Sequence, residues 1–253
     1  MARFMTWMRS NSGRSCCSRL GVSIRFWAIA GFFASVSPGQ STIELRPHIG
    51  QPLPNGVLAM SPNGRIALTG GQANEVVLWD VATGKELRRF VGHSAPTKFA
   101  AFSSDSLTIV TGAAADSVMV WEAATGRLLR SFGEPSKPLF AERALFSPDG
   151  HSLIISTFQN VLVFSLRDGT LLRTWQAHTQ TVAAIAIADG TDLLITGGRD
   201  NHLRLWDWRT GSWIRDLPNT RAWPTHISFS KDSTNILVEQ FDRSVSLVNI
   251  DTG

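Results

Sequence analysis

The sequence predicts an all-β chain assembled from copies of one four-stranded unit, and three observations carry that prediction. A short motif ending in glycine recurs at Gly84, Gly126, Gly169, Gly211 and Gly253, with gaps of 42, 43, 42 and 42 residues. Between these glycines lie four short apolar runs separated by turn residues. A fixed period of this size marks an array of one supersecondary unit, and short alternating runs bounded by turn signals read as strands.

The four strands of a unit, a to d, are justified in turn. The a-to-b turn is Ser61-Pro62-Asn63-Gly64 in the first unit and Ser147-Pro148-Asp149-Gly150 in the third. Proline presets φ and glycine accepts positive φ, so both are tight turns. The second and fifth units keep only the acid, Asp105 and Asp232. Strand c alternates in every unit: Val76/Leu78, Val118/Val120, Val161/Val163, Leu203/Leu205 and Val245/Leu247 fall on one face. The residue after each pair, Trp79, Trp121, Phe164, Trp206 and Val248, falls on the other. Strand d carries an apolar residue followed by Arg88, Arg130, Arg173 or Arg215. As the outermost strand it should set these arginines around a solvated rim, where charge discourages edge pairing; a binding stripe is the alternative.

Trp79-Asp80, Trp206-Asp207 and Gly92-His93, in phase with this period, resemble WD40 repeats over residues 42 to 253. The resemblance implies a β-propeller of about five four-stranded blades, at about 52–93, 94–134, 135–178, 179–220 and 221–253. Residues 42–51 share Glu44, Leu45, Arg46 and Gly50 with the strand-d stretch 84–93, and read as an orphan strand d. The last unit has a, b and c only. In similar propellers an N-terminal strand completes the last blade, which is what the resemblance implies here. Such propellers usually have more blades, so either this is a small five-blade ring or the ring is incomplete, with further blades beyond Gly253.

Residues 1–39 stand apart. They hold five arginines and no acid, then the apolar run 26–36 and small residues before Gln40. That order describes a secretory signal peptide and an exported, periplasmic or extracellular protein; an uncleaved membrane anchor or a transit peptide is the alternative. The whole chain has 24 basic and 20 acidic residues, but without the leader the count is 19 against 20. The basic balance therefore belongs to the leader, and no nucleic-acid partner is expected. Both cysteines, Cys16 and Cys17, lie there too, which leaves no disulfide for a cleaved product.

Few residues point to chemistry. The resemblance implies a hydrogen-bonded set inside a blade, matched in the fourth by His178, Thr196, Asp200 and Trp206, and in the second by His93, Thr111 and Trp121. Asp, His and a hydroxyl are also the order of a hydrolytic triad, but no nucleophile turn or oxyanion signature accompanies them. The set reads as a structural tie. No catalytic residue, cofactor or metal site is expected. The third and fifth blades, with Phe164 and Val248 for the tryptophan, should be looser. Trp213 is expected to pack between blades; Trp208 and Trp223 fall in or near turns, where exposed aromatics would suit a binding surface. The favoured function is a non-catalytic protein–protein interaction scaffold. The b–c and d–a loops should form one face, with Arg199, Gln72, Phe158, Gln180 and Ser94 as candidate partner contacts. A ligand- or glycan-binding propeller, or a fragment of a larger protein, is the alternative.

Overall fold

The computed structural model describes residues 57–70, 74–113, 117–133 and 139–252. The leader, the orphan strand at 42–51 and Gln72 lie outside the described residues. The described chain is all-β: nineteen strands in five antiparallel sheets, arranged as a five-blade β-propeller.

Each sheet is one repeat. The first is β1 (Val57–Met60), β2 (Ile66–Gly70), β3 (Val76–Asp80) and β4 (Glu86–Phe90). The second is β5 (Thr97–Phe102), β6 (Thr108–Ala113), β7 (Val118–Glu122) and β8 (Leu128–Phe132). The third is β9 (Arg143–Phe146), β10 (Ser152–Ser156), β11 (Asn160–Ser165) and β12 (Leu171–Gln176). The fourth is β13 (Val182–Ile187), β14 (Leu193–Gly198), β15 (Leu203–Asp207) and β16 (Ser212–Leu217). The fifth has three described strands, β17 (Pro224–Phe229), β18 (Asn235–Gln240) and β19 (Val245–Asn249). The inner strands β1, β5, β9, β13 and β17 contact one another in sequence.

The turns account for the repeating letters. In the first four blades the periodic glycine closes the c–d turn: Gly84, Gly126, Gly169 and Gly211 donate to the carbonyls of Asp80, Glu122, Ser165 and Asp207 at 2.8–2.9 Å. Their φ values of 65–81° favour glycine. At the a–b turn a serine hydroxyl binds the acid or amide two residues on, in Ser61–Asn63, Ser103–Asp105, Ser147–Asp149 and Ser230–Asp232. One extra residue on strand d makes a bulge beside Trp79, Trp121, Phe164 and Trp206, bending each blade at the same place.

Four apolar cores join successive blades, each made from the forward face of one sheet and the rear face of the next. Leu68, Val76, Leu78 and Phe90 meet Ile109 and Trp121. Val118, Val120 and Phe132 meet Ala144, Phe146 and Leu153. Val161 and Val163 meet Leu194, Trp206 and Trp208. Leu203, Leu205 and Leu217 meet Ile227, Ile236 and Val238. In the first four blades the strand-c pair on the forward face is at most 4% exposed. In the fifth the same pair, Val245 and Leu247, is 59% and 69% exposed. Among the described residues nothing covers that face.

Three readings of side chains are corrected. Trp208 is buried, with the Arg209 guanidinium 4.6 Å above its ring and the third blade against it. Trp213, at the start of strand d, is exposed, and Leu128 and Leu171, at the same phase, are exposed too; the strand meets the next blade only towards its end, at Phe90, Phe132 and Leu217. The rim arginines are not simply solvated. Arg88, Arg130 and Arg215 each cross to the next blade and donate to a c–d turn carbonyl, of Thr125, Arg167 and Asp251, at 2.8–3.0 Å. Arg88 and Arg130 lie where a Cβ at Gly126 and Gly169 would sit, at 2.8 and 2.7 Å. The turn glycine therefore serves its own backbone and its neighbour's arginine. Arg173 makes no such bond among the described residues; Trp175 packs on Gly211 instead.

Candidate functional site: a braced loop face

The fourth blade holds its hydrogen-bonded set intact. Trp206 Nε1 donates to Thr196 Oγ1 at 2.9 Å. Thr196 Oγ1 lies 2.8 Å from His178 Nε2, and His178 Nδ1 lies 2.8 Å from Asp200 Oδ1. One proton arrangement satisfies every member: indole to hydroxyl, hydroxyl to Nε2, Nδ1–H to carboxylate. It requires a neutral imidazole. Burial pushes His178 below its ordinary pKa, and this outweighs the opposing pull of Asp200. Asp200 is itself buried, but the Thr179 amide, 3.0 Å away, and His178 hold its carboxyl below the usual range. The result ties strands b and c, the turn between them and the incoming d–a segment together. Thr196 is fully buried.

The other blades vary this device. In the second, His93 Nε2 lies 2.7 Å from Thr111 Oγ1, and Trp121 Nε1 donates to the same oxygen at 2.8 Å. In the first, Trp79 donates to Thr69 at 2.8 Å. The third blade pairs Ser156 directly with Val161, one residue fewer between b and c than in the fourth, so no acid occupies the Asp200 position. Its Phe164 packs on Phe132 with ring centroids 5.0 Å apart. The fifth blade solves the problem with Gln240, which sequence reasoning missed. Gln240 is 3% exposed; its Oε1 accepts from the amides of Arg221 and Ala222 at 2.9 and 3.2 Å, and its Nε2 donates to Ser246 at 3.0 Å. It stands where the fourth blade has Gly198, whose missing side chain leaves room for His178 and Asp200. A large amide where the first, second and fourth blades carry glycine or alanine was the available signal.

These ties support one loop face. Arg199, Phe158, Gln180 and Ser94 are all exposed there; Gln72 lies outside the described residues. The loops are linked in series by backbone bonds. Val182 donates to the Phe158 carbonyl, Arg199 to Thr181, and Phe241 to Trp223, at 2.8, 2.9 and 3.0 Å. The face carries aromatics that the sequence reading did not group. Phe158 is paired with Phe140 at 5.5 Å, and both are about half exposed. The Arg199 guanidinium lies 4.9 Å from the Trp223 ring, and Trp223 stacks on Phe241 at 4.6 Å and 21°. Trp223 is half-buried, and the exposed aromatic there is its neighbour, Phe241, at 65%.

Two shallow grooves of about 310 and 350 Å³ lie elsewhere, at the rim. One is lined by Val163, Leu172 and Arg173, the other by Val120, Leu129 and Arg130. These are equivalent positions in successive blade gaps, a product of the repeat. Among the described residues no three of His, Cys, Asp and Glu cluster as metal ligands.

Comparison with known proteins places these features in context. The profile of the WD domain, G-beta repeat family matches residues 84–122 and 169–207. An uncharacterized WD repeat-containing protein of Synechocystis is 31% identical over 99 residues, 39% of this chain and 28% of that protein. Eukaryotic translation initiation factor 3 subunit I of Pyricularia oryzae is 29% identical over 104 residues, 38% of this chain and 29% of that protein. Mouse transducin-like enhancer protein 2 is 40% identical over 52 residues, 21% of this chain and 7% of that protein. The matches span less than a third of the length of these relatives.

Proposed function

We infer that the chain is a WD40-repeat protein and a non-catalytic scaffold that holds a partner protein on its b–c and d–a loop face. WD40 propellers generally bind protein partners, and the named relatives include a subunit of a larger factor. The observation that carries the reading is the row of exposed aromatics and arginine, Phe140, Phe158, Arg199 and Phe241, on loops braced from below. Partly exposed aromatic and arginine side chains on a rigid base are the groups that dominate interface energies. The hydrogen-bonded set beneath is read as support, since Thr196 and His178 are sealed from solvent.

A photocrosslinking residue at Phe158, set against one at the rim position Leu172, tests this in the producing cells. Discrete protein adducts from 158 and none from 172 are expected. No adduct from 158, or the same adducts from both, would sink the proposal. The scaffold is also proposed to act outside the cytoplasm after loss of residues 1–39; the intact mass of the native protein checks this.

A further inference from the structure

We propose that the Arg199–Trp223–Phe241 stack, with Arg221 and Arg243, is the docking site for an acidic peptide segment of the partner protein. This deepens the scaffold reading and rests on it.

Arg199 lies over an aromatic ledge between the fourth and fifth blades, and two more exposed arginines flank that ledge in the chain. Arg199 lies over Trp223; Arg221 stands two residues before Trp223 and Arg243 two after Phe241, and all three are exposed. Among the described residues none of them lies within 4.0 Å of a carboxylate. The acids nearby are already committed. Asp200 accepts from His178 and Thr179, and Asp242 accepts the amide and hydroxyl of Ser244 at 2.9 and 2.6 Å. Asp242 lies near Arg221 and the ionised Asp200 follows Arg199 in the chain, so three positive charges stand against two negative ones.

The ledge is held before any partner arrives. Gln240 clamps the amides of Arg221 and Ala222 from beneath, and the Phe241 amide donates to the Trp223 carbonyl. Phe241 is nevertheless 65% exposed, one ring face on Trp223 and the remainder in water. Arg243 supplies an independent observation. It occupies the left-handed region at φ 68°, at the turn position where the first and fourth blades place Asn74 and Asn201 at 66° and 64°. Asparagine adopts that conformation more readily than arginine, so the turn itself gains nothing from arginine there. A strained residue kept against local preference points to use of its side chain. Exposed guanidinium groups beside an exposed ring fit carboxylates flanking an apolar or aromatic residue: the guanidinium fork takes the carboxylate and the ring takes the apolar side chain.

The test is fluorescence anisotropy of the full chain with two labelled peptides of equal length, one alternating Glu and Phe, the other Lys and Phe. The Glu–Phe peptide is expected to bind, more weakly as salt is raised, and the Lys–Phe peptide not to bind. Arg243→Asn and Arg199→Ala should each weaken binding about tenfold, the scale of a lost charge-assisted hydrogen bond. Arg243→Asn should melt no lower than the parent, so its loss of binding cannot be loss of fold. Equal binding of both peptides, no binding of the Glu–Phe peptide, or unchanged affinity in both variants would overturn the proposal. An oligodeoxythymidine binding more tightly than the Glu–Phe peptide would also overturn it, and make the ledge a base-stacking surface. If the peptide fails while the Phe158 adducts persist, the acidic specificity falls and the scaffold stands; if both fail, both fall.

Discussion

Replacing Thr196 by valine keeps the shape of a fully buried side chain and removes one hydroxyl. Two partners then lose their bond: the Trp206 indole N–H at 2.9 Å and His178 Nε2 at 2.8 Å. Both side chains are under 10% exposed, so water cannot replace the hydroxyl. An orphaned buried polar group costs about 1–3 kcal/mol, so the pair costs about 2–6 kcal/mol. For a chain of this size each kcal/mol moves the melting temperature by about 2–4 °C, giving an expected fall of at least about 4 °C. Thr196→Ser is the control: it keeps the hydroxyl and loses a methyl, at a cost of about 1 kcal/mol. Calorimetry on both variants reads the difference. If valine and serine melt together, or valine melts with the parent, the tie contributes nothing through its hydrogen bonds, and packing alone holds the fourth blade.

Acidification should destabilise the protein. Burial depresses His178 and likewise His226, where the charge of Arg143 adds to the effect. Below about pH 6.5 the unfolded chain then binds more protons than the native one, and stability present above that pH is lost as it falls. A melting temperature that holds or rises from about pH 7.5 to about pH 5 would contradict this. Arg130→Ala removes the bond to the Arg167 carbonyl and should cost about 0.5–1.5 kcal/mol, read as a shifted denaturant midpoint. Leu205→Ala, at a 4% exposed position, should cost about 2–5 kcal/mol, and Leu247→Ala, 69% exposed at the equivalent place, less than about 1 kcal/mol. Equal losses would mean that something covers the fifth blade.

The frame was legible because its causes are local and repeated. A tight turn needs its Ser-x-Asp or its left-handed glycine wherever it occurs, and strand c must alternate to bury one face; four copies of each turn signal and five of the alternation fix the period. What escaped the sequence depends on a neighbouring blade. The rim arginines look like a solvent-facing series until the next blade's turn is placed beneath them, with its glycine left open for the guanidinium. Trp208 and Trp213 differ by five residues and by burial, 3% against 57%, because one faces the adjoining sheet and the other lies beyond it. Gln240 broke the pattern visibly, yet its role needed the loop that folds over it.

The loop-face residues were legible for a different reason, and only in part. Phe158 and Arg199 could be placed on one face from the order of strands alone. The stack on Trp223 could not, because Trp223 comes from the d–a segment of one blade and Phe241 from the b–c turn of the next, and their ring contact follows from the backbone bond between them. Blades that share one architecture differ most where they do not contribute to it. Arg243 stands in a turn whose counterparts are asparagine, and Gln240 stands beneath a loop that a histidine braces in the fourth blade. Both departures fall under the same ledge. A repeat maintained for stability alone would favour asparagine at the Arg243 turn, so that replacement in the fifth blade is the part of this chain that stability does not explain.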